Sequence, residues 1–395
     1  MRNRGFPLVI FLIVFGIVLN EPFLVTLSSA LLVTIGVAWW WQARSMNGVS
    51  YRRWFHFSRG FPGESIDLKI VVENRKLLPI SWLRVQDDWD RSVGPEVEDV
   101  LAPSHIQDRG FLTNVFSLRW YEKASRSYRL LLRKRGVYLL GPARMDTGDL
   151  FGIFEKNIEI TDNQFITIFP NILPFHSLNF PTENPFGDRK SQRKLFEDPN
   201  RPMGIREYQP EDSFRRVHWP ATARTGRLQV KVYQPTTGQV MMVCLNVSTF
   251  TRHWEGIYPE LLEYLIQVAA TIVNEGIREG YKVGLVANGC LAHADQPFRI
   301  PPGRSPQQLT VLLQALSGVT SVVTGSFDRF LLREMPKVQY GATLIIITAI
   351  ISPELTSTLI QLKKHERSIN LYYLGSDSAP VIPGIHTIHQ PFDSG

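Results

Sequence analysis

The sequence predicts a multidomain protein with an N-terminal transmembrane helical hairpin, a β-sandwich and a C-terminal doubly wound α/β domain. Three patterns of apolar residues indicate this division: two long uninterrupted runs before residue 45, short runs of period two up to residue 170, and continuous apolar strands between helices after residue 238. The 395 residues, 44% hydrophobic and 20% charged, are enough for two or three packed domains in addition to a membrane segment.

The hairpin is predicted from two apolar runs, residues 6–19 and 23–41, which Asn20-Glu21-Pro22 separates. A helix needs roughly 20 residues to cross the hydrocarbon core, so the second run is long enough and the first is short. Arginines flank both outer ends of the pair and the connecting turn has none, so the positive-inside tendency places both ends in the cytoplasm. We therefore expect residues 1–45 to be a two-pass anchor in the lipid bilayer of the cell (inner) membrane, with both termini cytoplasmic.

A cleaved signal peptide is the alternative for the same residues. Arg2 and Arg4 would be its basic region, and Ser28-Ser29-Ala30 would be its cleavage site. Cleavage there would leave residues 31–41 as an apolar stub, so the second uninterrupted run favours the membrane hairpin.

The net charge of +7 is concentrated near the N-terminus. Residues 1–60 hold six arginines and one acid, which accounts for five of the seven net charges. Broad binding of nucleic acid needs many uncompensated cations, so this function is an unfavoured alternative, and its affinity would fall steeply with salt. Two cysteines, Cys244 and Cys290, are too few for a disulfide scaffold or a four-ligand zinc site.

Residues 50–170 are predicted to form the β-sandwich. Residues 65–73 alternate polar and apolar side chains with the period of two that marks a half-buried strand, and two further strands follow at 80–85 and 127–133. Glycine and proline separate these runs, as expected for turns. The cluster Arg133-Lys134-Arg135 is predicted to be a solvated turn, with contact to lipid headgroups near the hairpin as the alternative.

A polar linker, residues 171–203, is predicted to lead into a dense segment of cations and aromatic residues at 204–237. This segment should contain a strand at 204–208, a turn, one or two helical turns at 214–223 and a strand at 227–233. Asp212 or Ser213 is the predicted N-cap of its helix, which Trp219-Pro220 and Thr225-Gly226 should break. Its candidate functional residues are Arg206, Glu207, Tyr208, Asp212, Arg215, Arg216, His218, Trp219, Arg224 and Arg227.

Three roles are open for this segment. Its arginines can pair with the acids Glu207, Glu211 and Asp212 in an internal structural network, or they can offer surplus donors to a docking partner. Asp212 and His218 are also near enough in sequence to act as an acid/base pair. Their spacing matches no hydrolase motif, so a membrane-bound hydrolase is the alternative function and a non-enzymatic role is favoured.

Residues 238–395 alternate continuous apolar strands with helices. Ser305-Pro306 is predicted to open one of the helices, with Ser305 as its N-cap. Apolar strands separated by helices indicate a parallel sheet that is covered on both faces, which is a doubly wound α/β domain. The predicted strands are 240–247, 282–287, 342–348 and 369–374, and the predicted helices are 258–279, 305–316 and 353–364.

Residues 204–235 and 133–154 also carry a family resemblance. In the first range Arg-Glu-Tyr, Pro-x-Asp, Arg-Arg-x-His-Trp and Ala-Arg-Thr-Gly-Arg-Leu follow one another, and in the second Arg-Gly-x-Tyr, Gly-Pro and Asp-x-Phe-Gly do. These patterns resemble those of the domain of unknown function 58 family, bacterial and archaeal membrane proteins with a C-terminal von Willebrand factor A-like domain. The chain departs from the pattern at Glu211-Asp212, where the family usually has Gly-Asp.

The resemblance implies a von Willebrand factor A-like fold for residues 238–395. In that fold an Asp-x-Ser-x-Ser loop after the first strand helps to hold a divalent cation at the carboxyl edge of the sheet, and the matching residues here are Asn246, Ser248 and Phe250. A hard cation such as Mg²⁺ depends on carboxylates, so we expect this metal-ion-dependent adhesion site to be degenerate and the chain to carry no metal or other cofactor.

The resemblance further implies an association with MoxR-type AAA+ ATPases in the assembly or maturation of envelope complexes. Together with the predicted anchor and the charge distribution, it leads us to expect a membrane-anchored cytoplasmic scaffold or adaptor that binds protein partners and is not an enzyme.

Overall fold

The computed structural model describes residues 5–97, 100–106, 108–149, 154–178, 197–210, 212–235, 240–250, 256–292, 294, 296–323, 325–339, 341–365 and 367–392. The chain is a multidomain, mostly β protein, and it divides into two compact units, Met1–Phe169 and Pro170–Gly395.

Two helices precede the first sheet. Helix α1 spans Gly5–Val18 and helix α2 spans Pro22–Ser45. Pro22 lies in the first turn of α2, where backbone N–H groups have no partner within the helix, so the N–H that proline lacks is not needed. Gly16 lies against the start of α2, since a Cβ at this position would come within 2.8 Å of Leu24 Cδ2. Among the helices that the structure describes, α2 alone is long and apolar enough to cross a membrane, and α1 is a shorter apolar helix.

The strands of the N-terminal unit form two antiparallel sheets and a small third sheet. The first antiparallel sheet has the order β1-β3-β8-β5, the second has the order β11-β10-β4-β7-β6, and β12 pairs with β2 and β9. The bounds are β1 (Val49–Phe55), β2 (Arg59–Gly60), β3 (Ser65–Asn74), β4 (Ile80–Asp90), β5 (Val93–Pro95), β6 (Leu101–Pro103), β7 (Arg109–Leu118), β8 (Lys123–Leu132), β9 (Gly136–Leu140), β10 (Ala143–Gly148), β11 (Glu155–Ile160) and β12 (Gln164–Ile168).

Both antiparallel sheets contribute to one hydrophobic core. In β3 the side chains alternate strictly between exposed and buried at its start, and Leu68 and Ile70 are fully buried. Leu83, Trp89 and Leu112 come from the second sheet and belong to the same cluster. The period of two in the sequence therefore places one apolar face of each sheet in this core.

A buried ion pair crosses between the two sheets. Arg53 of β1 donates from Nη1 to Asp87 Oδ1 of β4 at 3.0 Å, and both side chains are fully buried. The Tyr51 hydroxyl donates to Asp87 Oδ2 at 2.5 Å. Burial raises the pKa of Asp87, while the adjacent Arg53 guanidinium opposes that shift. Sequence patterns gave no indication of this pair, because Arg53 follows Arg52 and Asp87 precedes Asp88, and adjacent charged residues are typical of a solvent-facing segment.

The C-terminal unit contains a seven-stranded sheet with helices on both faces. From one edge to the other, the strands of the sheet lie in the order β17-β16-β15-β19-β20-β21, and β18 also pairs with β16. If the six strands of this path are numbered as they occur along the chain, the order is 3-2-1-4-5-6. The strands are β15 (Val240–Leu245), β16 (Lys282–Leu291), β17 (Pro297–Gly303), β18 (Val319–Val323), β19 (Thr343–Thr348), β20 (Ser368–Tyr373) and β21 (His386–His389). The helices are α4 (Pro259–Arg278), α5 (Gln308–Gly318), α6 (Phe327–Glu334) and α7 (Pro353–Lys364).

The central strands of this sheet are buried on both faces. β15 pairs in parallel with β16 and β19, β19 with β20 and β20 with β21, while β17 and β18 are antiparallel to β16. Met242 and Cys244 pack in one cluster with residues of α6 and α7. On the other face, a Cβ at Gly276 of α4 would lie 2.1 Å from Met241 Cε, so glycine allows this helix to pack closely on the sheet.

Several boundaries in this unit differ from the sequence prediction; β15 ends at Leu245 instead of residue 247, and β16 continues to Leu291 instead of residue 287. Helix α5 begins at Gln308 instead of Ser305, because residues 305–308 form a turn in which Gln308 N–H donates to the Ser305 carbonyl. A strand begins at Glu197, within the predicted linker of residues 171–203. Residues 179–196 of that linker lie outside the described residues.

Candidate functional site

The arginine-rich segment is an antiparallel hairpin. Strand β13 (Glu197–Glu207) pairs with β14 (Gln229–Pro235), and the connection contains a short 3-10 turn, Phe214–Arg216, and helix α3 (Trp219–Thr225). Residues 236–239, at the end of the predicted segment 204–237 and the start of the next, lie outside the described residues. We call residues 197–235 the signature hairpin.

The cap of α3 differs from the prediction. His218 is the N-cap, and its Nδ1 accepts from Ala221 N–H at 3.1 Å, so neither Asp212 nor Ser213 has this role. Trp219-Pro220 begins the helix instead of breaking it, since a proline in the first turn has a suitable φ and needs no N–H partner. The helix ends at Gly226, whose φ of 66° is the left-handed conformation that glycine adopts without strain.

Asp212 is part of an internal ion pair. The Arg206 guanidinium holds it in a bidentate contact, Nη1 to Oδ2 at 2.7 Å and Nη2 to Oδ1 at 2.6 Å, and Gln209 N–H donates to Oδ2 at 2.9 Å. The hydrogen bond from Arg206, followed by that from Gln209, lowers the pKa of Asp212 below its usual value. These contacts close the turn that follows β13.

A second pair joins the end of β13 to the residues just before β14. Arg227 Nη1 lies 3.1 Å from Glu207 Oε1, and both side chains are mostly exposed. An exposed pair of this kind contributes little to stability. Glu211, the third acid of the segment, lies outside the described residues.

The geometry gives the acid/base interpretation no support. Asp212 is bound by Arg206 and Gln209, and His218 Nδ1 is bound by Ala221 N–H. The two side chains form no hydrogen bond with each other, although both belong to the described part of the chain.

Several aromatic and cationic residues of the segment, among them the candidates Arg215, Trp219 and Arg224, instead face solvent. Phe214 and Trp219 are 66% and 64% exposed, and the Tyr208 ring lies 5.4 Å from the Phe214 ring. Arg215 and Arg224 are also exposed, and within the described residues neither has a hydrogen bond or an ion pair, whereas Arg216 does have a contact. The segment thus combines an internal network with exposed aromatic and cationic side chains, and we call Phe214, Arg215, Trp219 and Arg224 the hairpin surface.

The second candidate region lies at the carboxyl ends of three parallel strands. Asn246 follows β15, and its Nδ2 donates to Thr348 Oγ1 at 3.0 Å. Its Oδ1 accepts from Ser248 N–H at 3.1 Å and from Asn288 Nδ2 at 3.0 Å. Asn288 Oδ1 in turn accepts from Val247 N–H at 2.9 Å. The amide side chain of Asn246 therefore joins β15, β16 and β19 at the point where the strand order reverses.

A cleft of about 100 Å³ opens at this edge. Asp328 is the one carboxylate among the residues described around it, and Phe250 stands where the resemblance would have a serine. No group of three or more His, Cys, Asp or Glu residues suited to a metal ion occurs in the described part of the chain. Apart from Asp328, the side-chain oxygens that line the cleft and could contact a cation are mainly serine hydroxyls. The lining is Asn246, Ser248, Phe250, Gly325, Ser326, Phe327, Asp328, Ile350, Ser352 and Leu355.

Asn288, Thr348 and Asp328 were not among the sequence candidates. Asn288 interrupts an otherwise apolar strand near its carboxyl end, and a polar side chain in that position is a usable signal. Thr348 ends β19 in the same way. Asp328 gave no signal, because it lies in a helix that sequence periodicity did not predict.

Curated and solved proteins show only distant similarity. The chain is 20% identical over 230 residues to the uncharacterized protein YeaD of Bacillus subtilis, a match that covers 58% of this chain and 52% of that protein. The chain thus spans about half the length of this curated relative.

Two solved structures match parts of the chain at low TM-scores. A CARDB domain from Pyrococcus furiosus is 9% identical, covering 30% of this chain and 91% of that chain with a TM-score of 0.20. Spo0M, a sporulation control protein from Bacillus subtilis, is 15% identical, covering 31% of this chain and 49% of that chain with a TM-score of 0.19. Similarity at this level carries no conclusion about fold or function.

A family model gives the more specific result. It covers the signature hairpin from Gly204 and most of the C-terminal sheet, whereas the resemblance at residues 133–154 lies outside it. Residues 204–371 match the model of the family described as "Protein of unknown function DUF58".

Proposed function

We propose that this chain is a membrane-anchored adaptor that holds a protein partner on its hairpin surface. In this proposal α2 crosses the cell (inner) membrane, α1 makes the second pass, and both termini are cytoplasmic. The anchor is supported by the large apolar side chains that α2 leaves exposed, among them Phe23, Leu27 and Val33. Apolar surface of this extent is costly in water and favourable in hydrocarbon.

We assign the C-terminal domain a von Willebrand factor A-like fold. The strand order 3-2-1-4-5-6, with helices on both faces, is consistent with this assignment. Asn246 stands where such a fold has a metal-ligating aspartate, and its amide is occupied by hydrogen bonds to the two neighbouring strands. We therefore propose that the domain binds partners without a metal ion.

The hairpin surface is the observation that carries the docking proposal. Phe214 and Trp219 leave about two thirds of their surface in water, where large aromatic side chains lose the favourable free energy of burial. Arg215 and Arg224 offer planar donors that no described residue uses. Tryptophan and arginine are also the residues that most often carry binding energy at protein interfaces. A partner surface with an apolar pocket rimmed by carboxylates fits this combination.

The proposed partner is a MoxR-type AAA+ ATPase, as the family resemblance implies, and the proposed process is the assembly or maturation of envelope complexes. In this role the chain contributes no chemistry of its own. It positions a client beside the ATPase at the membrane surface.

Binding of a purified MoxR-type ATPase to the full chain in mild detergent tests the proposal. We expect Trp219→Ala and Arg215→Ala each to weaken binding by roughly 30-fold, corresponding to about 2 kcal/mol for an interface hot spot. Both variants should keep the thermal midpoint of the parent chain, because neither side chain supports the hairpin internally.

Trp54→Ala is the matched control, since Trp54 is equally exposed but belongs to the N-terminal unit. It should bind as the parent chain does. Unchanged affinity of both hairpin variants would contradict docking through this surface, and a lowered thermal midpoint of Arg215→Ala would favour the structural network.

A further inference from the structure

One end of the first sheet lies immediately after the anchor helix. Helix α2 ends at Ser45 and β1 begins at Val49, so residues 46–48 span at most about 10 Å. Trp39 and Trp40 are exposed on the last turns of α2, the position at which tryptophan marks the headgroup layer. The adjoining end of the sheet is therefore within reach of the bilayer surface.

Two loops are attached to this junction through the backbone. Arg75 N–H donates to the Gly48 carbonyl at 2.8 Å, and Tyr121 N–H donates to the Lys76 carbonyl at 3.2 Å. The buried Asn74 side chain donates to the carbonyls of Leu78, at 3.0 Å, and Arg119, at 2.8 Å. The loops after β3 and β7 thus form one ordered unit beside the end of α2.

This unit exposes large apolar side chains. Leu77, Trp120 and Tyr121 are 71%, 64% and 65% exposed. The Tyr121 backbone has a φ of 52°, a conformation rare for residues other than glycine, asparagine and aspartate, and it turns the chain sharply at this point. Tryptophan and tyrosine at the end of a domain that follows an anchor helix fit the amphipathic headgroup layer.

The same loops carry exposed cations. Arg75 pairs with Glu73, and Lys123 faces the same carboxylate across the strands and interacts with it electrostatically, so one acid is shared by two cations. Arg119 has no ion pair within the described residues. An exposed cation close to an anionic leaflet is attracted to it. We call Leu77, Trp120, Tyr121, Arg119 and Lys123 the proximal surface.

We infer that the proximal surface rests on the anionic headgroups of the membrane that α2 crosses, with Leu77 and the two aromatic rings inserted between lipids. This inference rests on the proposed membrane anchor and adds a second contact with the bilayer. It also replaces the alternative given for Arg133-Lys134-Arg135, which was contact with lipid headgroups. That cluster follows the other end of β8, the strand that begins at Lys123, so it lies at the far end of the sheet.

Fluorophore quenching by brominated lipids tests the contact in the full chain. The native thiols Cys244 and Cys290 are buried, so an introduced cysteine can be labelled selectively with bimane. The chain is reconstituted in vesicles of phosphatidylcholine and phosphatidylglycerol, with or without bromine on the acyl chains. We expect the label on Leu77→Cys to lose fluorescence in the brominated vesicles.

Labels at two further sites distinguish failure of the proximal contact from failure of the membrane anchor. Phe57→Cys, an exposed apolar position at the far end of β1, should keep its fluorescence, and Val33→Cys in α2 should lose it. Quenching at Val33→Cys but not at Leu77→Cys would overturn the inference while leaving the anchor intact. Absence of quenching at both would overturn the inference and the proposed anchor together.

The charge contribution is tested with a second pair of variants. Arg119→Gln combined with Lys123→Gln should reduce the quenching at Leu77→Cys, because the attraction to phosphatidylglycerol is lost. Arg59→Gln combined with Lys134→Gln removes the same charge at the far end of the sheet and should leave the quenching unchanged. Equal effects of the two double variants would contradict an electrostatic contact at the proximal surface.

Discussion

Arginines of the signature hairpin have different roles, although their sequence context did not distinguish them. Arg206 holds Asp212 in a bidentate contact, whereas Arg215 has no partner among the described residues. The sequence predicted that the cations would either pair with the acids or remain available to a partner, and both occur. The role of each arginine depends on which of them lies beside the Asp212 carboxylate, and composition alone does not specify this.

The pKa of Lys76 tests whether the loop after β3 is packed as the structure shows. Its Nζ donates to Asn74 Oδ1 at 3.0 Å, and burial lowers its pKa to about 8. An unfolded lysine titrates near pH 10.4, so between roughly pH 8 and 10.4 the unfolded chain binds more protons than the folded chain. The contribution of Lys76 to the free energy of unfolding therefore rises with pH across this window.

The pKa of Lys76 can be measured by competitive acylation followed by mass spectrometry of the full chain in neutral detergent. We expect its reactivity to increase with an inflection near pH 8 in the folded chain and near pH 10.4 after unfolding in urea. An inflection near pH 10.4 in the folded chain would show that the amine is fully solvated, which would contradict the packing of this loop.

At the scale of elements, the periodicity of apolar residues predicted whether many segments are helices or strands. The errors lie mainly at the ends of elements, where capping and pairing residues decide the bounds. Helix α7 has the predicted bounds, because Ser352 caps it and a proline follows at once. The first part of β13, residues 197–203, was assigned to the linker because Asp198, Pro199 and Asn200 are turn formers, whereas the structure pairs Glu197 and Pro202 on either side of them with β14. Propensity is a weak guide wherever a partner strand supplies the hydrogen bonds.

The cap of α3 was mispredicted for a related reason. Aspartate and serine are common N-caps, but Asp212 is held by Arg206 and the imidazole of His218 accepts the free amide of Ala221 instead. An imidazole with an available lone pair is a less common cap than a carboxylate, and nothing in the spacing identified it.

Substitution at His218 separates a capping role from a catalytic one. His218→Ala should cost about 1 kcal/mol of helix stability and speed hydrogen exchange at Ala221, because one amide of the first turn loses its acceptor. His218→Asn should restore most of the protection, since its side-chain oxygen can accept the same bond. Exchange at Ala221 that does not respond to His218→Ala would contradict the cap.

At the scale of the whole molecule, the division into a sheet-rich N-terminal unit and a C-terminal α/β sheet could be predicted. The strand order could not, because apolar strands separated by helices are compatible with several arrangements of a parallel sheet. The antiparallel strand β17 contains three prolines and was missed for that reason. The network of Asn246, Asn288 and Thr348 was likewise invisible until the strand order brought these residues together.

The proposed two-pass topology makes opposite predictions for the two ends of α1. With native thiols buried, a cysteine at Asn20 in the turn should react with a membrane-impermeant maleimide added to intact cells, and a cysteine at Asn3 should not. Permeabilised cells serve as the control and should label both positions. Labelling of Asn3→Cys in intact cells would indicate that α2 crosses alone and that the N-terminus is external.

The attachment of the first sheet to α2 has a mechanical consequence. Lys156 Nζ donates to the Ala43 carbonyl at 3.0 Å and Gln42 Nε2 donates to the Glu155 carbonyl at 3.2 Å, so β11 is fastened to the last turn of the helix. A transmembrane helix tilts further when the bilayer thins. In the membrane-spanning arrangement that we propose for α2, these two contacts would carry a change of helix tilt into the sheet, so we expect the N-terminal unit to change its orientation when the bilayer thins.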